Sequence, residues 1–227
     1  MNTNSKSLRD IHCGPSCSGK TTVARILRQV LRNVIVFYQD DFYKPDSLIP
    51  IDEKTQLENW DCPESVYFDK LADYIEYAQK EGKLPSNYHS KEENNTHDGS
   101  SLITQQTLAK LQAILKPLMD DENIFILVDG FMLYWDERVT SLLDCKVFVT
   151  ASYHSLKSRR EKRQGYHTVE GYWVDPPNYF DKIVWPEYIR LSQHNEMISD
   201  LFTLNTDENS IEETALKVSN HLCKELL

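Results

Sequence analysis

The sequence predicts an α/β fold of three layers, in which helices cover both faces of a mostly parallel central sheet. Three observations predict it. Short apolar runs of strand length recur along the chain, amphipathic helical patterns lie between them, and a glycine-bounded phosphate-loop motif joins the first strand to the first helix. Strands alternating with helices form a parallel sheet through right-handed crossovers.

The strand runs are Val34 to Tyr38, Ile124 to Val128 and Lys146 to Thr150, with a weaker one at Leu201 to Leu204. Near-continuous apolar runs are what strands covered on both faces require. A strand at Leu8 to Cys13 should feed the phosphate loop. It carries Arg9, Asp10 and His12, polar for the middle of a parallel sheet, so an irregular or partly exposed strand is expected there. The clearest helix has Val23, Ile26, Leu27, Val30 and Leu31 on one stripe. Leu108, Leu111, Leu115 and Leu118 form a second stripe, and Ile211, Ala215, Leu216, Leu222 and Leu226 a third. Pro85 to Ser101 reads PSNYHSKEENNTHDGSS, with Tyr88 its only large apolar group. A mobile surface insertion is expected over it.

The 227 residues, 40% of them hydrophobic, suffice for one core, so a single domain spanning 1–227 is expected. With 35 acidic and 25 basic residues the formal charge is −10, which argues against a nucleic-acid or membrane-surface partner and for small molecules. Cys13, Cys17, Cys62, Cys145 and Cys223 are odd in number and lack paired ligand spacing, which fits reduced thiols better than disulfides or zinc. No signal-peptide core and no membrane-length apolar run occurs, so a soluble cytoplasmic protein is expected.

Gly14, Pro15, Ser16, Cys17, Ser18, Gly19, Lys20 and Thr21 spell GPSCSGKT, a full match to GxxxxGK[ST], with Thr22 following. The glycines let backbone N–H groups curl around phosphate oxygens, and the helix N-terminus adds partial positive charge. Lys20 is then placed for the β and γ phosphates of ATP, and Thr21 for Mg²⁺. The fold expectation sharpens to a three-layer P-loop NTPase, nucleoside/nucleotide kinase-like, with a helical lid.

Asp40 and Asp41 follow one strand run and Asp129 another, at the sheet edge where such folds bind ligands. A kinase needs one carboxylate to orient the attacking hydroxyl and accept its proton, and one to hold metal. Asp40 suits the first task and Asp129 the second, with exchange left open. Asp41 reads on its own as a cap or turn residue. Lys157 to Arg163 is KSRREKR, five basic residues in seven. Such a run is usually a solvated helix face. Beside a phosphate loop it also suits a lid, since arginine's planar fork matches the oxygens of a transferring phosphoryl group. No guanine-recognition motif of the NKxD type occurs, which disfavours a nucleotide switch.

Taken together, GPSCSGKTT, FYQDDFYKP, NWD, ILVDGF, SRREKR and DPPNYFDKIVWPEY resemble the nicotinamide riboside kinases, relatives of uridine kinase and pantothenate kinase. The match runs in order across most of the chain, and the second and last strings are far more specific than the phosphate loop. The resemblance implies ATP- and Mg²⁺-dependent phosphorylation of the ribose 5′-hydroxyl of nicotinamide riboside, and of nicotinic acid riboside, for NAD synthesis. It carries the proton acceptor and metal contact onto Asp40. It puts Asp41, Phe42 and Tyr43 on the substrate side, with Trp60 stacking on the pyridine and Asp61 binding ribose hydroxyls. It implies a lid of about 153–175, with Arg159 and Arg163 at ATP, Arg160 near substrate and Asp175 as a ribose ligand. Asp207, Glu208 and Asn209 would form the adenine-side loop. The lid is longer than the family's between Arg163 and Asp175, so Tyr166, Tyr172 and Trp173 are alternative substrate contacts. The family often has Glu where Asp129 stands, and the shorter acid would reach Mg²⁺ through water. A uridine, cytidine or pantothenate kinase, and from another class a non-catalytic nucleotide-binding module, are the competing readings.

Overall fold

The computed structural model describes residues 7–91, 99–119, 123–163, 165–167 and 171–227. In chain order it builds β1 (Ser7–Cys13), α1 (Lys20–Val30), β2 (Val34–Tyr38), α2 (Phe68–Glu81), α3 (Gln105–Leu115), β3 (Ile124–Gly130) and α4 (Glu137–Ser141). It continues through β4 (Cys145–Thr150), α5 (Tyr153–Glu161), β5 (Tyr166–His167), β6 (Tyr172–Trp173), α6 (Trp185–Asn195), β7 (Leu201–Asn205) and α7 (Ile211–Leu226).

Five strands pair in the order β2-β3-β1-β4-β7, and every pairing in this sheet is parallel. The apolar runs become strands because each is covered twice. Along β3, Phe125 and Leu127 face a layer made by α1, α3 and α7, while Ile126 and Val128 face Phe68, Leu71 and Ile75 of α2, Val139 of α4 and Leu191 of α6. Each of these four strand side chains is at most 1% exposed and contributes about 1.5–3 kcal/mol through burial. The predicted stripe of α1 is realised, with Val23, Ile26, Leu27 and Val30 all buried.

β1 corrects one expectation. Its backbone is regular, and the exposure of its side chains lies outside the described set. Its backbone pairs with β3 from Ser7 to Cys13 and with β4 from Asp10 to Cys13, at the middle of the sheet. A central strand is selected here by two neighbours pairing its backbone, which outweighs the polarity of its sequence. β3 also runs two residues further than its apolar run, because Cys13 pairs with Gly130. Asp129 is therefore the penultimate residue of a strand rather than the start of a loop.

A smaller apolar cluster of Ile49, Trp60, Leu156, Tyr179, Phe180, Ile183 and Val184 lies beneath α5. β5 and β6 form an antiparallel pair after it. The expected insertion at 85–101 lies partly outside the described residues, which resume at Gly99. No helix among the described residues is long and apolar enough to cross a membrane.

Candidate active site

The loop after β1, the C-terminal ends of β2 and β3, the turn after β7 and the end of α5 line one cavity of about 790 Å³, to which Ser16 to Thr22, Asp40, Asp41, Tyr43, Trp60, Asp61, Asp129, Phe131, Arg159, Arg160, Arg163 and Trp173 contribute among others. This is the edge at which doubly wound sheets gather ligand-binding loops.

The phosphate loop fits only as glycine permits. A Cβ on Gly14 would stand 2.0 Å from the Val149 carbonyl oxygen, and Gly19 caps α1 at φ 101°, a left-handed conformation. The loop closes through Ser18 N–H donating to the Pro15 carbonyl at 3.1 Å, and Gly14 N–H ties it to Gly130 at 3.2 Å. Lys20 and Thr21 open α1, so the helix N-terminus points its partial positive charge at the cavity.

Asp40 and Asp41 sit in a short 3₁₀ turn, Gln39–Phe42, immediately after β2. Asp129 pairs in register with Tyr38 and is 4% exposed. Sequence reasoning missed the residue that shapes this corner. Gln39 is fully buried, and its Oε1 accepts from the N–H groups of Phe131 and Met132, both at 3.0 Å. A polar residue at the end of an apolar strand was the available signal. Phe42 lies in the core rather than on the cavity wall.

One wall is aromatic. Tyr43 meets Trp60 edge-on at 5.4 Å and stacks on Phe131 at 5.8 Å, and Trp60 approaches Trp173 at 5.7 Å. Beside it Arg160, 6% exposed, binds two carboxylates at once. Its Nη1 and Nη2 reach Asp61 at 3.1 and 3.3 Å, and its Nε and Nη2 reach Asp175 at 2.6 and 3.1 Å. Two carboxylates around one guanidinium leave excess negative charge at a buried site. Burial pushes the Asp61 carboxyl above its usual range, although Arg160 pulls it back. Asp175 is not among the residues that line the cavity; its carboxylate accepts from Arg160 and from Trp173 Nε1, the latter at 3.0 Å, and both of those side chains do line it. Tyr172 is 54% exposed and does not line the cavity; of the three aromatic alternatives in the lid, Trp173 does. The Tyr166 side chain lies outside the described set.

The basic run divides by position on α5. Arg159 Nη1 donates to the Cys17 carbonyl at 3.3 Å and to Thr206 Oγ1 at 3.0 Å, joining α5 to the phosphate loop and to the turn after β7. Lys157 faces away and pairs with Asp181 at 2.6 Å. Of the turn after β7, Asn209 lines the cavity while Asp207 and Glu208 do not. Asp207 accepts from Ser152 N–H at 2.8 Å at the N-terminus of α5, and bonds from Ser155 and Ser152 hold its carboxyl down at about 2. It ties the N-terminus of α5 to the turn after β7.

No cluster of three or more His, Cys, Asp or Glu side chains suited to a metal occurs among the described residues. Thr21, Asp40 and Asp129 nevertheless give hard oxygen donors on one cavity. That set fits Mg²⁺, which is bound by one or two carboxylates together with substrate phosphates rather than by an all-protein cage.

The family model described as Phosphoribulokinase / Uridine kinase family matches residues 12–166. A nicotinamide riboside kinase of Schizosaccharomyces pombe is 34% identical over 181 residues, 80% of this chain and 77% of its own. One of Eremothecium gossypii is 37% identical over 175 residues, 77% of this chain and 71% of its own. Among solved structures, a sugar kinase from Janibacter sp. HTCC2649 aligns over 97% of this chain and 95% of its own, at 12% identity and a TM-score of 0.48. The phosphate loop, the strand-end acids and the lid arginines lie within the matched span, and the chain belongs to the phosphoribulokinase / uridine kinase family and, within it, to the nicotinamide riboside kinases.

Proposed function

We propose that this chain transfers the γ-phosphoryl group of ATP to the ribose 5′-hydroxyl of nicotinamide riboside, and of nicotinic acid riboside, yielding the mononucleotide for NAD synthesis. The observation that carries the reading is one cavity lined both by the phosphate loop and by the Tyr43–Trp60–Phe131–Trp173 wall with Asp61 and Arg160 beside it. A flat apolar wall suits a pyridine ring, and anionic oxygens beside it suit ribose hydroxyls. The relatives' names point to the same acceptor.

In this reading the loop amides and Lys20 hold the β and γ phosphates, Arg159 and Arg163 lie over them from the lid, and Asn209 borders the adenine side. Asp40 orients the 5′-hydroxyl and takes its proton as the oxygen bonds to Pγ and the bond from Pγ to the bridging oxygen of ADP breaks. Thr21, Asp40 and Asp129 would hold Mg²⁺, which when bound offsets phosphate charge. The lid from α5 to Asp175 excludes water, a competing acceptor. Cytoplasmic action belongs to the same proposal and is supported by the four described cysteines, Cys17, Cys62, Cys145 and Cys223, all free thiols.

The test is product identity. With ATP, Mg²⁺ and nicotinamide riboside, phosphorus NMR should reveal a phosphomonoester coupled to the two 5′ protons, formed in step with ADP. Release of ADP without that ester, or an ester at another hydroxyl, would contradict the proposal.

A further inference from the structure

The segment that starts at Pro85 has no assigned task, yet its described flanks border the cavity. Tyr88 is driven into the apolar layer beside β2. Its ring meets Phe37 edge-on at 5.1 Å, Tyr74 edge-on at 6.0 Å and Phe42 in a stack at 6.0 Å. β2 is the edge of the sheet, so its outward N–H groups need partners from elsewhere. Tyr38 N–H finds one in the Tyr88 hydroxyl at 3.3 Å.

That hydroxyl in turn donates to Asp41 Oδ2 at 2.7 Å, and Lys91 N–H donates to Asp41 Oδ1 at 2.9 Å. The Ser90 side chain bonds the same carboxylate. Both oxygens of Asp41 are thus engaged by Tyr88, Ser90 and Lys91 of one segment, which makes this acid the anchor of that segment. The consequence is the position of Lys91. Its Nζ donates to the Asp40 carbonyl at 3.2 Å, and the residue lines the same cavity as Lys20, Thr21, Asp40 and Asp129. Partial burial lowers the pKa of the Lys91 ammonium from its ordinary value, and the attraction of Asp41, Asp40 and Asp46 offsets only part of that. Beyond the gap in the described residues the chain returns to the same wall. A Cβ on Gly99 would stand 3.0 Å from Ile26 Cγ1 and 3.5 Å from the Thr22 carbonyl, and Leu102 lines the cavity.

We propose that Lys91 is a further cation of the phosphoryl-transfer site, and that Asp41 is the positioning residue that holds it there. The inference rests on the kinase reading above. The lid supplies cations from one side of the cavity and α1 supplies Lys20 from the loop; Lys91 approaches from the side of Asp40, where the acceptor oxygen arrives. Its ammonium is a compact charge on a flexible stem, able to leave a backbone carbonyl for a phosphoryl oxygen when one is present. It neither gives nor takes a proton. It offsets charge on the γ oxygens as the acceptor oxygen bonds to Pγ, the bond to the bridging oxygen breaks and the hydroxyl proton passes to Asp40.

The experiment compares parent, Lys91→Met, Lys91→Arg, Asp41→Ala and the double variant Lys91→Met/Asp41→Ala. Steady-state kinetics use nicotinamide riboside, and calorimetry measures binding of Mg·ADP with and without aluminium fluoride, a mimic of the transferring phosphoryl. Lys91→Met should lose about 10-fold or more in kcat with the riboside KM within about 3-fold, as expected when one transition-state cation is removed. Lys91→Arg should recover most of that loss. Asp41→Ala should match Lys91→Met, and the double variant should be no worse than either, because one acts through the other. The aluminium fluoride complex should weaken about 10-fold in Lys91→Met while Mg·ADP alone is unchanged. Lys91→Met with parent kcat, a loss confined to KM, or Lys91→Arg as poor as Lys91→Met would overturn the inference. The calorimetry keeps the two readings apart. A parent that ignores nicotinamide riboside sinks the substrate assignment, whereas equal binding of the fluoride complex by parent and Lys91→Met sinks the role of Lys91.

Discussion

Replacing Arg160 with methionine keeps an unbranched apolar stem and removes the guanidinium that holds two buried carboxylates together. The side chains of Arg160, Asp61 and Asp175 are 6%, 10% and 22% exposed in their ion pairs, so little solvent is available to replace the guanidinium. Removing one partner of a buried pair costs about 3–5 kcal/mol, and the partial exposure of Asp175 puts the expected loss near the lower bound, about 3 kcal/mol. For a chain of this size each kcal/mol lowers Tm by about 2–4 °C, so a drop of about 6–12 °C is expected. The loss should depend on pH with a definite sign. Asp61 already titrates above its ordinary value because burial disfavours its charged form, and Arg160 is the main influence pulling it down. Without that cation the carboxyl rises further, so its ionised form destabilises the fold at neutral pH and protonation relieves the cost as pH falls. Thermal melts of parent and variant at pH 8 and pH 5 read this directly. The gap in Tm should narrow toward pH 5. A gap that stays constant, or widens on acidification, would refute the account of the triad.

Other expectations follow from the same geometry. Lys20→Ala should retain the parent Tm but lose about 10²-fold or more in kcat, read by coupled ADP release. Asp40→Asn should depress kcat far more than it raises the riboside KM, whereas Asp61→Asn should raise KM first; the reverse pattern would mean that the two roles are exchanged. Asp207 is held down at about 2 by its bonds at the N-terminus of α5, so its charged form stabilises the fold above about pH 4. Asp207→Asn should therefore be less stable than parent at pH 6, and the difference should vanish as pH falls from 3.8 toward 2.

Much of this was legible because it is local. The phosphate loop, the apolar strand runs and the acids that end them are patterns within a few residues, and each element formed where its pattern stood. The central place of β1 was not legible, because its polar sequence argues against the position that its two neighbours impose. The basic run was readable as a helix with cations beside the phosphate loop but not as three separate sets of partners. Arg159, Arg160 and Lys157 differ only in their position around α5, and their partners Thr206, Asp61 and Asp181 lie 47, 99 and 24 residues away. Tyr88 is the instructive case. A single aromatic in an otherwise polar stretch suggested a surface position, yet the edge of β2 with Phe37, Phe42 and Tyr74 receives that ring and seats the described residues beside it. Asp207 had the opposite fate: its place just past the last strand suggested a nucleotide contact, and the helix across from it took the carboxylate.

The central claim is substrate choice, and one comparison tests it most directly: kcat/KM at fixed Mg·ATP for nicotinamide riboside, uridine, cytidine and pantothenate, side by side. Pantothenate has no ring for the Trp60 wall and no vicinal diol for Asp61 and Arg160, which line the cavity beside it, so it should be the poorest. Preference for the pyridine over the pyrimidines rests on stacking in the aromatic wall, for which about 10- to 100-fold is the reasonable range. Nicotinamide riboside should therefore lead both pyrimidine nucleosides by at least the lower factor. Uridine phosphorylated as well as nicotinamide riboside, or better, would contradict the assignment and leave a nucleoside kinase of a different preference.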